Sequence, residues 1–192
     1  MPQRKFPNPY FIILLTLFLW NCGDSTDTDS QLDAYAGNYQ IVSFRSDIPV
    51  DLNNDGITSQ ELVNEINSFS SNDLEIRPTD LQSNPTQLAL FFFPKTWITF
   101  DDPGSPEGHI EFLDYGFSTT YHFDNNAFYL EDKSYEEEAL IDNIESHRAV
   151  TLTTDLHVID GRHLGLSISK EYYDFNANEW VRLAINLIYE KQ

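Results

Sequence analysis

From residue 117 onward the chain alternates. Phe117, Thr119, Tyr121 and Phe123 interleave with Ser118, Thr120 and His122. Val181, Leu183, Ile185, Leu187 and Tyr189 interleave with Arg182, Ala184, Asn186 and Glu190. A period of two sends successive side chains to opposite faces, so each segment reads as a half-buried β-strand. Turn formers separate the segments: Asp124-Asn125-Asn126, Asp160-Gly161 and Phe175-Asn176-Ala177-Asn178. Strands joined that tightly pair antiparallel. Val150, Leu152, Leu156 and Val158 share a face opposite Thr151, Thr153, Asp155 and His157, while Leu164, Leu166 and Ile168 alternate after the second turn. Upstream, residues 39–44 and 97–100 read as strands, and 88–93 form a continuous apolar run, as in a strand buried on both faces and closed by Pro94.

This is about eight to ten strands with no βαβ rhythm, hence an all-β class with minor α. A meander of that many strands closes or folds over, because twist and exposed edges work against a flat array. The expectation is one antiparallel β-barrel domain over residues 34–192, with one or two short helices. Thr58 and Glu61 match a capping box and predict a helix over 58–69, with Leu62, Val63, Ile66 and Phe69 on one face. Ser134 and Glu137 cap a second candidate helix carrying Leu140, Ile141 and Ile144, with Glu136, Glu137 and Glu138 suited to its N-terminal dipole. An acidic loop is the alternative there.

The 192 residues hold 31 acids against 11 bases, a formal charge of −20. A nucleic-acid partner is excluded on that ground, since phosphate binding needs clustered Lys and Arg. One cysteine excludes a disulfide framework and a thiolate zinc site. With 14 Phe and 10 Tyr the chain has the means to build a core.

That single cysteine stands at an informative place. Arg4 and Lys5 precede an apolar run over residues 10–20, and Cys22 follows. Eleven helical residues rise about 16 Å, half of a hydrocarbon core. The run is too short to span and fits the h-region of a secretory signal over residues 1–21. The arrangement resembles a bacterial lipoprotein signal, with Leu19 at the third position before a lipidated Cys22; Trp20 and Asn21 replace the small residues usual there. Asp24, Asp27 and Asp29 resemble the acidic signal of Bacteroidetes surface lipoproteins, and residues 22–33 read as the lipidated cysteine and an acidic linker. Asp24-Ser25-Thr26 also resembles a short O-glycosylation site of that phylum, with a plain linker as the alternative. Removing 1–21 takes away Arg4 and Lys5 and no acid, leaving 31 acids, 9 bases and a formal −22. Attachment to the outer membrane or cell surface then comes from acyl chains, not from a basic face. A secreted protein is the alternative.

Asp51-Leu52-Asn53-Asn54-Asp55-Gly56 resembles the start of an EF-hand calcium loop, here residues 51–61. Oxygen side chains stand at loop positions 1, 3 and 5, and a glycine makes the turn at 6. Position 12 is Leu62 rather than Glu, and Glu61 sits one place early. The expected ligands are Asp51, Asn53, Asp55, the Ile57 carbonyl and Glu61. The alternative is a turn whose Asx side chains bond their own backbone, followed by a capped helix.

Residues 37–44, the Asp-Leu-Asn-Asn-Asp-Gly run, the Leu-x-x-Glu segment and the closing strand to Lys191 together resemble lipocalin-like lipoproteins of Bacteroidetes. The resemblance implies a small antiparallel barrel and an apolar small-molecule ligand, and it transfers no catalytic residue. Phe91, Phe92, Phe93, Trp97, Phe100, Phe112 and Phe117 are the candidate cavity lining, or simply core. The five histidines show no helical His-x-x-x-His pair, and there is no Gly-x-Ser-x-Gly elbow or phosphate loop. The sequence therefore points to a non-enzymatic binding lipoprotein. The alternative is a surface module docking a protein or glycan, with calcium as a bridge.

Overall fold

The computed structural model describes residues 32–67, 69, 73–78, 87–100 and 108–192. The predicted signal, Cys22 and the linker as far as residue 31 lie outside them, as does the side chain of Phe100. Residues 32–35 make one helical turn, and Leu32 is already buried in the core, two residues before the expected start of the domain.

Eleven strands follow: β1 (Gly37–Val50), β2 (Ser59–Glu61), β3 (Leu74–Arg77), β4 (Leu88–Phe100), β5 (Gly108–Asp124), β6 (Ala127–Leu130), β7 (Ser134–Ile141), β8 (Ile144–Leu152), β9 (Leu156–Val158), β10 (His163–Asp174) and β11 (Glu179–Lys191). Eight of them close a barrel in the order β1-β3-β4-β5-β6-β9-β10-β11, with β11 paired back to β1 and every seam antiparallel. The ring follows chain order, so the expected meander is present and closed. The inward faces of β10 and β11 are the predicted ones: Leu164, Leu166, Ile168, Leu183, Ile185, Leu187 and Tyr189 are all buried.

Two excursions leave the ring. β2 returns along β1. The β7–β8 hairpin pairs β8 with β10 and β7, in parallel, with β4 at Trp97↔Leu140 and Ile98↔Ile141. β5 holds one edge of β4 along its whole length, so β7 lies on the opposite edge, which it shares with β3. β6, three residues before β7, is still beside β5. The hairpin thus crosses one face of the β4–β5 ribbon, where Tyr135 stacks on Tyr115 at 5.4 Å and on Phe117 at 4.8 Å.

That crossing explains how β4 departs from expectation. The strand does not stop at Pro94. Residues 88–92 alternate between buried and half-buried, and the stretch covered on both faces is Phe93, Pro94, Lys95 and Thr96. Proline is tolerated because the pairing of β4 with β3 ends at Phe91 and that with β7 begins at Trp97, so that edge asks for no N–H there. The Pro94 carbonyl instead accepts the Tyr172 hydroxyl at 2.6 Å.

Both predicted helices are corrected. The helix predicted over 58–69 does not form among the described residues: β2 is followed by a 3₁₀ turn, Leu62–Asn64, with no side-chain cap. The Glu61 carboxylate has gone to β1, where it accepts from the Phe44 amide at 3.1 Å and the Ser43 hydroxyl. Leu62 and Ile66 still bury themselves on the sheet. Residues 134–144 are the β7–β8 hairpin, turned by Asp142 and Asn143 at φ 50° and 60°. Tyr135 and Glu137 face inward and Glu136 and Glu138 outward, a period of two that the run of acids concealed.

Candidate functional site

The expected cavity residues do not surround one space. Phe91 and Phe93 are fully buried in the core and stack on each other at 5.9 Å. Phe117 joins that stack at 6.3 Å from Phe91. Trp97 is half-buried, with the Lys95 ammonium 5.0 Å from its ring centroid. Phe112, from the even-numbered face of β5, meets the Tyr172 ring at 6.3 Å. Of the described candidates, Phe112 also lines an open groove of about 360 Å³, together with Asn67, His109, Ile110, Glu111 and Leu113. His109 Nε2 lies 2.8 Å from Glu111 Oε1 at its rim.

The acidic loop is closed by its own backbone. Asp51, almost fully buried, accepts from the Gly56 amide at 2.9 Å and the Asp55 amide at 3.3 Å. Asn53 Oδ1 accepts from the Asp55 amide at 3.0 Å, and Asp55 Oδ1 from the Ile57 amide at 2.7 Å. Gly56 takes φ +80°, which is why a glycine stands there. The structure brings Asp51, Asn53 and Asp55 together, exposes Ile57 and directs Glu61 away to β1. A further acid beside the loop is Glu65, which sequence reasoning missed. It lies outside the loop's frame and reaches back to accept the Leu52 amide at 3.0 Å. Burial raises its pKa above the ordinary value; the Asp55 and Asp51 charges add to this, while the Leu52 and Asn53 amides pull it back. Among the described residues no three His, Cys, Asp or Glu side chains converge closely enough to hold a metal ion.

A second polar cluster lies inside the barrel, where β7 faces β10. Lys170, with no exposure, donates to Glu137 Oε1. Burial pushes the Glu137 carboxyl up, and Lys170 opposes it; burial pushes the Lys170 ammonium down, and Glu137 opposes that. Thr96 Oγ1, Glu137 Oε2 and the Tyr135 and Tyr189 hydroxyls are buried without a hydrogen-bond partner among the described residues. No sequence signal pointed to this pair, because Glu137 lay within an acidic run and Lys170 in a strand read only for its apolar face.

Comparisons with known protein families, with curated proteins and with solved structures return no match to this chain.

Proposed function

We propose that this chain is a non-enzymatic envelope lipoprotein, held to the membrane by acyl chains on Cys22, whose barrel carries a small molecule with an apolar face. One observation supports it most: the groove of about 360 Å³ along β5, within the usual size range of small-ligand sites. Phe112, Ile110 and Leu113 supply apolar contact, while His109, Glu111 and Asn67 supply orientation. The ligand is assigned to this groove rather than to the ring interior, where Phe91 and Phe93 are packed without exposure. The test is titration with an environment-sensitive apolar fluorophore. Saturable one-to-one binding is expected, weakened about tenfold or more by Leu113→Asp, which changes a partly exposed side chain, at an unchanged melting midpoint. Binding that ignores Leu113→Asp overturns the reading.

A second reading, docking of a protein or glycan partner, draws support from Ile48 and Ile57, both exposed on the β1–β2 excursion, Ile57 at 67%. Ile57→Ser would then abolish cross-linking to the partner while leaving fluorophore binding intact.

A further inference from the structure

β5 is 17 residues long, and much of one of its edges has no neighbour. β4 runs along the other edge from Gly108 to Thr120. On the open side β6 pairs only with Tyr121–Asp124, and between Gly108 and Thr119 no described strand joins that edge. Hydrogen bonds at its upper end fix which groups it offers. The Tyr121 amide donates on the β4 side, to the Gln87 carbonyl, while the Thr120 carbonyl accepts from the Glu131 amide on the other. A residue of an antiparallel strand turns its N–H and C=O to the same side, and the side alternates along the strand. Ile110, Phe112, Asp114, Gly116 and Ser118 therefore aim theirs away from β4. Phe92, opposite Gly116, agrees: its amide turns away from β5, to the Asp73 carbonyl.

The groove of about 360 Å³ lies along this edge. Its β5 lining is five consecutive residues, His109 to Leu113, so both faces of the strand contribute. A cavity on one face of a sheet would be lined by alternate residues. Asn67 stands on its far side. An unpaired edge is a template for an added strand, whose main chain supplies hydrogen bonds and whose alternate side chains supply selectivity. Here one face offers the apolar Ile110 and Phe112. The other offers His109 and Glu111, 68% and 48% exposed. Glu111 and Asp114 are the charges on this stretch, and β5 has no Lys or Arg. Lys95, opposite Leu113, is buried against the Trp97 and Tyr115 rings. The whole chain carries a formal −20. A cationic guest is the one this field attracts.

We propose that the β5 edge takes up a short extended peptide, basic on one face and apolar on the other, as an added antiparallel strand. Its basic side chains lie beside Glu111 and its apolar ones beside Ile110 and Phe112. This rests on the groove being the ligand site and names the guest. A guest without amides would fill the groove but leave the outward Ile110 and Phe112 main-chain groups unmet.

Five residues extend roughly 16 Å, the length of the β5 lining. The probe is therefore acetyl-Lys-Val-Lys-Val-Lys-amide, titrated by calorimetry and as a competitor of the fluorophore. One saturable site per chain and displacement of the fluorophore are expected. With valines beside Ile110 and Phe112, the valine amides face β5. N-Methylation of both valines should weaken binding about tenfold or more, and N-methylation of the central lysine should leave it. Acetyl-Glu-Val-Glu-Val-Glu-amide should bind about tenfold more weakly. Asp114→Pro removes one outward amide opposite Pro94, where β4 loses no bond, and should weaken the probe. Equal effects of the two methylations, or equal affinity for the acidic peptide, overturn the proposal. Should Asp114→Pro fail to fold, the methylated probes decide without it. A fluorophore that binds saturably and that no peptide displaces overturns the peptide alone; absence of binding by both overturns the groove with it.

Discussion

At the scale of single residues, the Glu137–Lys170 pair carries the sharpest energetic consequence. Each side chain is exposed by 1% or less, so removing one partner leaves an uncompensated charge in the barrel. Glu137→Leu and Lys170→Met are each expected to cost about 3–5 kcal/mol in denaturant unfolding. The double variant should cost far less than their sum, because it removes both charges and leaves volume behind. Additive losses would show that the pair is not coupled. Glu65 gives a pH dependence. Its folded pKa is raised above 4.5, so the folded chain keeps a proton that the unfolded chain has released. The proton-linked contribution therefore favours the fold at low pH and is lost as pH rises from about 4.5 through the folded value. Glu65→Gln keeps an oxygen for the Leu52 amide and removes the titration. Urea midpoints at pH 4.5, 5.5 and 7 should fall less steeply in the variant than in the parent; parallel slopes would refute the assignment. The sequence pointed to Glu61 here, not Glu65. Carboxylate spacing along a chain says nothing about amides on another strand, and the Phe44 amide took Glu61.

Among the elements, β7–β8 shows where local pattern misleads. Ser134 with Glu137 has the spacing of a cap, but Tyr135, Glu137 and Ala139 point one way and Ser134, Glu136 and Glu138 the other. The turn Asp142-Asn143 lacks the glycine that marks such hairpins, yet Asn and Asp are the side chains that tolerate positive φ. Asn143→Gly is accordingly expected to hold or raise stability, and Asn143→Val to lower it by about 1–2 kcal/mol, read from thermal melts. Within the 51–61 loop Asp51, Asn53 and Asp55 accept from the loop's own amides. Asp51→Ala, which strips acceptors from two amides, should cost about 1–3 kcal/mol in chelator. A larger loss in millimolar calcium than in chelator would make the loop a metal site, and equal losses a turn alone. By contrast the hairpins at Asn125-Asn126 and at residues 175–178 were readable, because turn chemistry and alternation agreed there.

For the whole molecule, class and closure were legible, since a meander of alternating strands has few other ways to bury one face. The interior was not. Whether Phe91 fills space or lines it depends on β7 crossing the ribbon, and Trp97↔Leu140 joins residues more than forty positions apart. The groove was equally hidden, because Asn67 and His109 meet only through the tertiary fold. The ring has a further consequence in time. β11 supplies two of the eight seams, one to β1 at the start of the domain and one to β10. A chain growing from its N-terminus therefore remains an open sheet until residues 179–191 emerge. Closure then requires a contact spanning nearly the entire domain, the kind that forms slowly. The protein is thus built to stay unlatched while it is being made and to shut in a single late event.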